Sequence, residues 1–214
     1  MGFRFKCVGL PLLVLLWGSV AEASNGDQEV ARITVLVHDT VRISPSILHK
    51  AELETARIFR ASGIAIAWVN CSGESANVDD ECRHAPGANQ FLLHIVPTGK
   101  TSTDLVFGLA FLGEDGSGKY CNVFFDRIEE ATRALGTSVS QLLGTVAAHE
   151  LGHLLLGSHA HSRWGIMEPA WQEESMREIG MGTFLFSREQ STLMKTRIGR
   201  ERLTLAGFGA RTQQ

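Results

Sequence analysis

Two histidines four positions apart, His149 and His153, stand with Glu150 between them inside a long apolar stretch. Positions i and i+4 of an α-helix lie on one face. A helix over residues 139–156 therefore aims both imidazoles at one point and turns Glu150 to one side. The flanks predict such a helix. Gly136 and Thr137 precede Ser138, Ser138-x-x-Gln141 has the form of a capping box, and Gly157 follows as a stop. Converging imidazoles suit tetrahedral zinc, and a glutamate beside them suits a base that takes a proton from a water held there. The competing reading is a solvated histidine pair on an amphipathic helix. The glycine break and the two further histidines after it count against that reading.

A catalytic zinc takes three protein ligands and leaves one position for water. Gly157 lets the chain turn back into Ser158-His159-Ala160-His161-Ser162. Alternate residues of an extended turn lie too far apart to share one tetrahedral ion, so one of His159 and His161 is the expected third ligand.

These residues resemble the metzincin peptidases, whose motif H-E-x-x-H-x-x-G-x-x-H is followed by a Met-turn. His149, Glu150 and His153 are in place, and His159 falls at the third histidine position. The glycine is one place late, at Gly157, with Leu156 where the family has Gly. A helix longer by one residue shifts the returning chain and moves the role toward His161. The run from His161 to Met167, His-Ser-x-x-Gly-Ile-Met, is also similar to a group of uncharacterised bacterial secreted metzincin-like proteins in which the histidine before Ser recurs. His161 and His159 stand as alternatives, with the weight on His161. Met167 is placed to be the Met-turn residue. The family's tyrosine after that turn is absent; the single tyrosine is Tyr120, so no phenolic group is assigned.

The resemblance implies a zinc-dependent endopeptidase acting on a peptide or protein substrate. It places Zn2+ on His149, His153 and His161 or His159, with Glu150 as general base and then proton donor. It also implies an α/β (α+β) metzincin-like catalytic domain: a twisted mixed sheet, a zinc-binding active-site helix, a Met-turn and a C-terminal helix. The rival from another class is a non-catalytic secreted zinc-binding or protein-interaction domain that keeps the fold. A closed site with both His159 and His161 on the metal would suit it.

The rest of the chain reads as strand, helix, several strands, helix, loop, helix, which gives an α/β sandwich on a mixed sheet. Residues 30–41 alternate and are β-branched, as a strand would be. Ser44-Pro45 opens a helix that ends before Gly63. Strands are expected at 64–69, 91–96, 106–112 and 120–125, and a final helix at 187–202. Residues 106–112 are the expected edge strand, where an extended peptide can add itself to the sheet. No internal repeat or low-complexity tract is present.

A basic start at Arg4 and Lys6, the apolar run 8–17 and Ala21-Glu22-Ala23 predict a signal peptide over residues 1–23 and a single domain over 24–214. The run is shorter than the roughly 20 residues a spanning helix needs, so no stable membrane insertion is expected after cleavage, and the product is secreted or periplasmic. With a short stretch between the expected cleavage point and the first strand, no inhibitory pro-segment is expected. A net charge of −3 offers no basic footprint for nucleic acid, and a monomer is expected. Cys71 and Cys82 flank the polar stretch 72–81, which a disulfide would staple, leaving Cys121 as a buried thiol. His38, His49, His84 and His94 lack ligand spacing. Asp126 reads as a strand-end cap ahead of a support for a ligand, and Asp79-Asp80-Glu81 as a solvated loop ahead of a calcium site. Trp164 and Trp171 flank the Met-turn as pocket walls or core.

Overall fold

The computed structural model describes residues 30–72, 80–98 and 106–209. The expected signal peptide lies outside them, as does Asp79. The chain order is β1 (Ala31–Asp39), α1 (Pro45–Ala61), β2 (Ile64–Asn70), a 3-10 turn at Asp80–Arg83, β3 (Gln90–Val96), β4 (Gly108–Phe111), β5 (Tyr120–Phe124), α2 (Phe125–Leu135), α3 (Val139–Leu156), α4 (Glu173–Met181) and α5 (Arg188–Gly209). The strands form one mixed sheet in the order β2-β1-β3-β5-β4. β2, β1, β3 and β5 run parallel, and β4 closes the edge antiparallel to β5. No helix of the described residues is long and apolar enough to cross a membrane.

Side chains on a strand alternate between faces, and the register lines up one buried set. Val35 lies beside Phe91, Val37 beside Leu93, Leu93 beside Cys121 and Ile95 beside Val123. These residues join the core against α1 and α3. α3 is buried around its whole circumference from Leu142 to Leu155. That burial explains why its sequence is apolar all round and why two histidines and a glutamate within it stand out.

Gly144 sets the spacing of α1 and α3. A Cβ there would lie 2.5 Å from the Ala51 carbonyl oxygen and 2.8 Å from the Glu54 Cβ. The Thr55 hydroxyl, on α1, lies 2.9 Å from the Gly144 carbonyl of α3 and 2.9 Å from the Ala51 carbonyl of its own helix. Arg57, gripped by Glu54, also donates to the Gly182 carbonyl at the end of α4.

Several expectations shift. The strand at 120–125 ends at Phe124, and Phe125 opens α2, which the sequence reading missed. No glycine, proline or polar break separates the two elements, so the phenylalanines read as continuing strand. α4 was also missed. Its capping box is formed by Gln172 and Ser175, and glutamine is outside the usual N-cap set. At α3 the expected capping box does not form: the Ser138 hydroxyl lies 3.0 Å from that of Ser140 and makes no bond to a helix N–H. The strand at 106–112 shortens to Gly108–Phe111 and is an edge strand. Cys71 and Cys82 are disulfide-bonded, with Cα atoms 5.6 Å apart, and Cys121 is a buried free thiol.

Gly144→Ala should destabilise the chain by about 1–3 kcal/mol, the usual range for an inserted methyl in a close-packed contact. The urea midpoint measures it. An unchanged midpoint would show that α1 and α3 can separate without loss.

Candidate metal centre

α3 places His149 and His153 one turn apart, and both are buried. The Nδ1 of His149 lies 2.6 Å from the Ile166 carbonyl, and the Nδ1 of His153 lies 2.8 Å from the Ser158 carbonyl. A carbonyl only accepts, so both Nδ1 atoms carry the proton and both Nε2 atoms present lone pairs. Those two Nε2 atoms are 3.1 Å apart. Facing lone pairs at that distance repel, and a cation between them removes the repulsion. Two zinc–nitrogen bonds of about 2.0–2.1 Å in tetrahedral geometry bring their nitrogens to about that separation.

The chain after Gly157 supplies the third nitrogen. His149, His153 and His161 each offer a ring nitrogen, and these atoms all lie within 4.8 Å of one another. The His161 ring is stacked 5.5 Å from that of His149 and edge-on 4.9 Å from that of His153. His159 stays outside this group, its ring 5.8 Å from that of His153. The donor set fits a zinc ion: three imidazoles, two of them oriented by carbonyls behind them, with the cavity on the open side.

The turn around Met167 holds this geometry. Gly165 adopts φ +77°, and a Cβ on it would approach the Leu185 carbonyl oxygen to 2.6 Å. The Ile166 N–H donates to Leu185, and the Ser162 N–H donates to Met167. The Ile166 carbonyl is thereby fixed against His149. Met167 is fully buried. Its sulfur would be 2.9 Å from a Cβ at position 152, and Phe186 would be 2.7 Å from it, so Gly152 gives α3 its close seat on the turn.

Glu150 is buried against the edge strand. A Cβ on Gly108 would lie 2.6 Å from the Glu150 Cγ and Oε1, so glycine makes the room its carboxyl occupies. The Ala110 N–H donates to that carboxyl. Burial pushes the Glu150 carboxyl up to about 8, and the Ala110 hydrogen bond opposes this only in part. Burial also pushes His149 down to about 3 and His153 down to about 4, and it lowers His161. All three imidazoles are therefore neutral, the form that ligates metal.

A cavity of about 220 Å³ opens beside the histidines and is walled by Phe107, Gly108, Val146 and Trp171, among others. Trp171 stands edge-on to His149, with ring centres 5.6 Å apart, and also touches Phe107 and Phe184. Trp164 is 69% exposed and lines a neighbouring groove. Asp126 accepts the Thr98 N–H after β3 and does not line the cavity. His38 and His94 pair with each other across β1 and β3, while His49 and His84 sit beside Glu52 and Asp80. None of the four joins the histidine cluster. The sequence reading missed the two carbonyls, Gly108 and Glu168. No residue type marks a carbonyl, but the carboxylate directly after Met167 in Ile-Met-Glu-Pro-Ala-Trp was visible.

The shifts give the metal-free chain a defined pH response. His149 and His153 take up protons on unfolding, from the ordinary imidazole value near 6.5 down to their folded values, so stability falls as pH falls through that window. Glu150 acts in the opposite sense: it is protonated in the fold up to about 8, so it offsets part of the loss. The melting temperature of chelator-treated protein should fall from pH 6.5 to about 4, and Glu150→Gln should steepen the fall. A flat profile would contradict neutral buried imidazoles.

No family model matches the sequence, and no curated protein matches it. Among solved structures the chain is similar to a zinc-dependent peptidase from Methanocorpusculum labreanum (strain Z). The identity is 14% and the TM-score 0.49, with 76% of this chain and 99% of that chain covered.

Proposed function

We propose that the chain is an exported zinc-dependent endopeptidase of metzincin type. The observation that carries this reading is the convergence of the His149, His153 and His161 nitrogens at a cavity that also holds the Glu150 carboxyl. His149, His153 and His161 are the proposed ligands, Met167 the Met-turn residue beneath them, and Glu150 the general base.

A zinc ion bound there supplies Lewis acidity, which polarises a peptide carbonyl and lowers the pKa of a water to about 7. The chain does the rest. The Phe124 N–H donates to the Phe107 carbonyl, so Leu109 and Phe111 turn their backbone groups to β5 in the same phase. Gly108 and Ala110 then turn theirs to the free edge, on the cavity side, where Glu150 takes the Ala110 N–H and the Ala110 carbonyl and the Gly108 groups remain for a partner. An extended peptide can pair there as an added strand, which fixes its carbonyl relative to the histidines. Phe107, Val146 and Trp171 shelter the adjoining side chain from water. The Glu150 carboxylate receives the proton of the attacking water. It then delivers that proton to the amide nitrogen as the C–N bond breaks.

Zinc analysis of single variants tests the ligand set. His161→Ala should lose the metal and His159→Ala should keep it; full occupancy in both would end the three-histidine reading. Glu150→Gln has nearly the same shape but cannot take a proton. It should keep zinc and the fold while hydrolysis drops by about 10²–10⁴-fold. Loss of zinc along with activity would make Glu150 a structural support of the site. Absence of cleavage in the zinc-loaded parent would leave a zinc-binding domain without peptidase activity. The exported protein should begin at Ser24 on N-terminal sequencing, and an intact Met1 would contradict export by cleavage after Ala23.

A further inference from the structure

We infer that Glu168 makes the cavity beside the histidines selective for a peptide with a lysine or arginine side chain next to the bond to be cut. This rests on the peptidase reading above and adds a substrate class to it.

Glu168 directly follows Met167 and lines the cavity together with Phe107, Val146 and Trp171. It also lines the groove next to that cavity, so the residue stands between the two. The side chain is oriented from behind. The buried Ser175 hydroxyl donates to the Glu168 Oε2 at 2.8 Å and accepts the Gln172 N–H at 3.1 Å. Ser175 is thus committed to two partners, and the carboxyl it holds keeps its remaining acceptor capacity. Among the described residues no lysine or arginine forms an ion pair with Glu168.

The cavity combines two surfaces. Phe107, Val146 and Trp171 offer an apolar wall. Glu168 offers a held carboxylate with which no lysine or arginine among the described residues forms an ion pair. A lysine or arginine side chain matches both, because its methylenes cover apolar surface while its charged head seeks a carboxylate. A leucine fills the walls but leaves Glu168 without a charged partner, and a glutamate meets like charge. Glu150 adds a second carboxyl on the inner side, which the charge of a bound zinc would offset. The groove beyond is lined by Arg163, Glu178 and Glu174, the last already paired with Arg177, so Glu168 is the cavity-lining carboxylate left for an incoming cation.

The test uses zinc-loaded mature protein and N-acetylated quenched peptides that differ only at the residues flanking the cut, as Lys, Arg, Leu or Glu. Lys and Arg peptides should exceed the Leu peptide in kcat/KM by on the order of tenfold. Glu168→Gln keeps a Ser175 partner and should collapse that ratio. Glu168→Lys should move the preference to the Glu peptide, a reversal that a merely structural role for Glu168 would not produce. Zinc content of each variant shows that the metal centre is intact. A parallel set with free amino termini separates the two sources of positive charge: cleavage restricted to that set would assign the cation to the peptide's α-ammonium and overturn the side-chain assignment. Cleavage with no cation preference, or a preference unmoved by both variants, would overturn the role of Glu168 and leave the peptidase reading standing. No cleavage of any peptide by the zinc-loaded parent would overturn both.

Discussion

Two imidazole lone pairs facing each other across 3.1 Å are the constraint around which this structure is arranged. Left alone, the His149 and His153 rings would rotate apart or share a proton. The Ile166 and Ser158 carbonyls prevent both, because each holds the Nδ1 proton in place. Those carbonyls come from the segment that follows α3, so the helix and its return loop are needed together. The Gly157 turn at φ +66°, the Gly165 turn and the Met167 seat on Gly152 are the backbone conditions for bringing them there. Two buried nitrogens facing each other with lone pairs gain nothing from that contact by themselves. The arrangement makes sense as a site prepared for a cation.

The core supplies the rigidity. α3 has almost no exposed face, and its position is set on one side by α1 at Gly144 and on another by β4 at Gly108. Each glycine marks a place where a neighbour comes closer than a side chain would allow. At Gly108 the neighbour is the Glu150 carboxyl itself. The edge strand therefore has two linked jobs: its free edge borders the cavity, and its missing side chain makes room for the carboxyl. A sheet with β4 elsewhere would leave Glu150 either solvated or crushed.

The mixed fold was legible in the sequence because its strands alternate cleanly and α1 and α3 carry clear end signals. Val35, Val37, Leu93 and Val123 show the period of two directly. α2 and α4 were not legible, for different reasons. Phe125 continues an apolar run with no break, and Gln172 caps by a route that composition does not flag. At the site, the spacing of His149 and His153 was enough to infer convergence, since helix geometry alone dictates it. The third nitrogen was not fixed by spacing. The choice between His159 and His161 depends on how the chain turns after Gly157, a matter of backbone path, and the structure brings the His161 ring nitrogen into the group. The Ile166 and Ser158 carbonyls were beyond sequence reading, because every residue has one.

Burial sets the chemistry of Glu150 in a way that couples it to the metal. With no cation nearby, its carboxyl holds a proton up to about pH 8 and is then a poor base at neutral pH. A divalent ion held by the histidine group would place positive charge beside that carboxyl and favour its ionised form, opposing the effect of burial. The same low-dielectric surroundings that raise the proton affinity of the isolated acid strengthen its attraction to the cation. In the proposed reading, Glu150 would thus be a competent base only with the metal bound. The neutral histidines follow the same logic from the other side: burial disfavours their protonated forms and leaves their nitrogens free to bind. A single physical cause, exclusion of water from the end of α3, would therefore both ready the proposed ligands and keep the proposed base protonated until a cation binds.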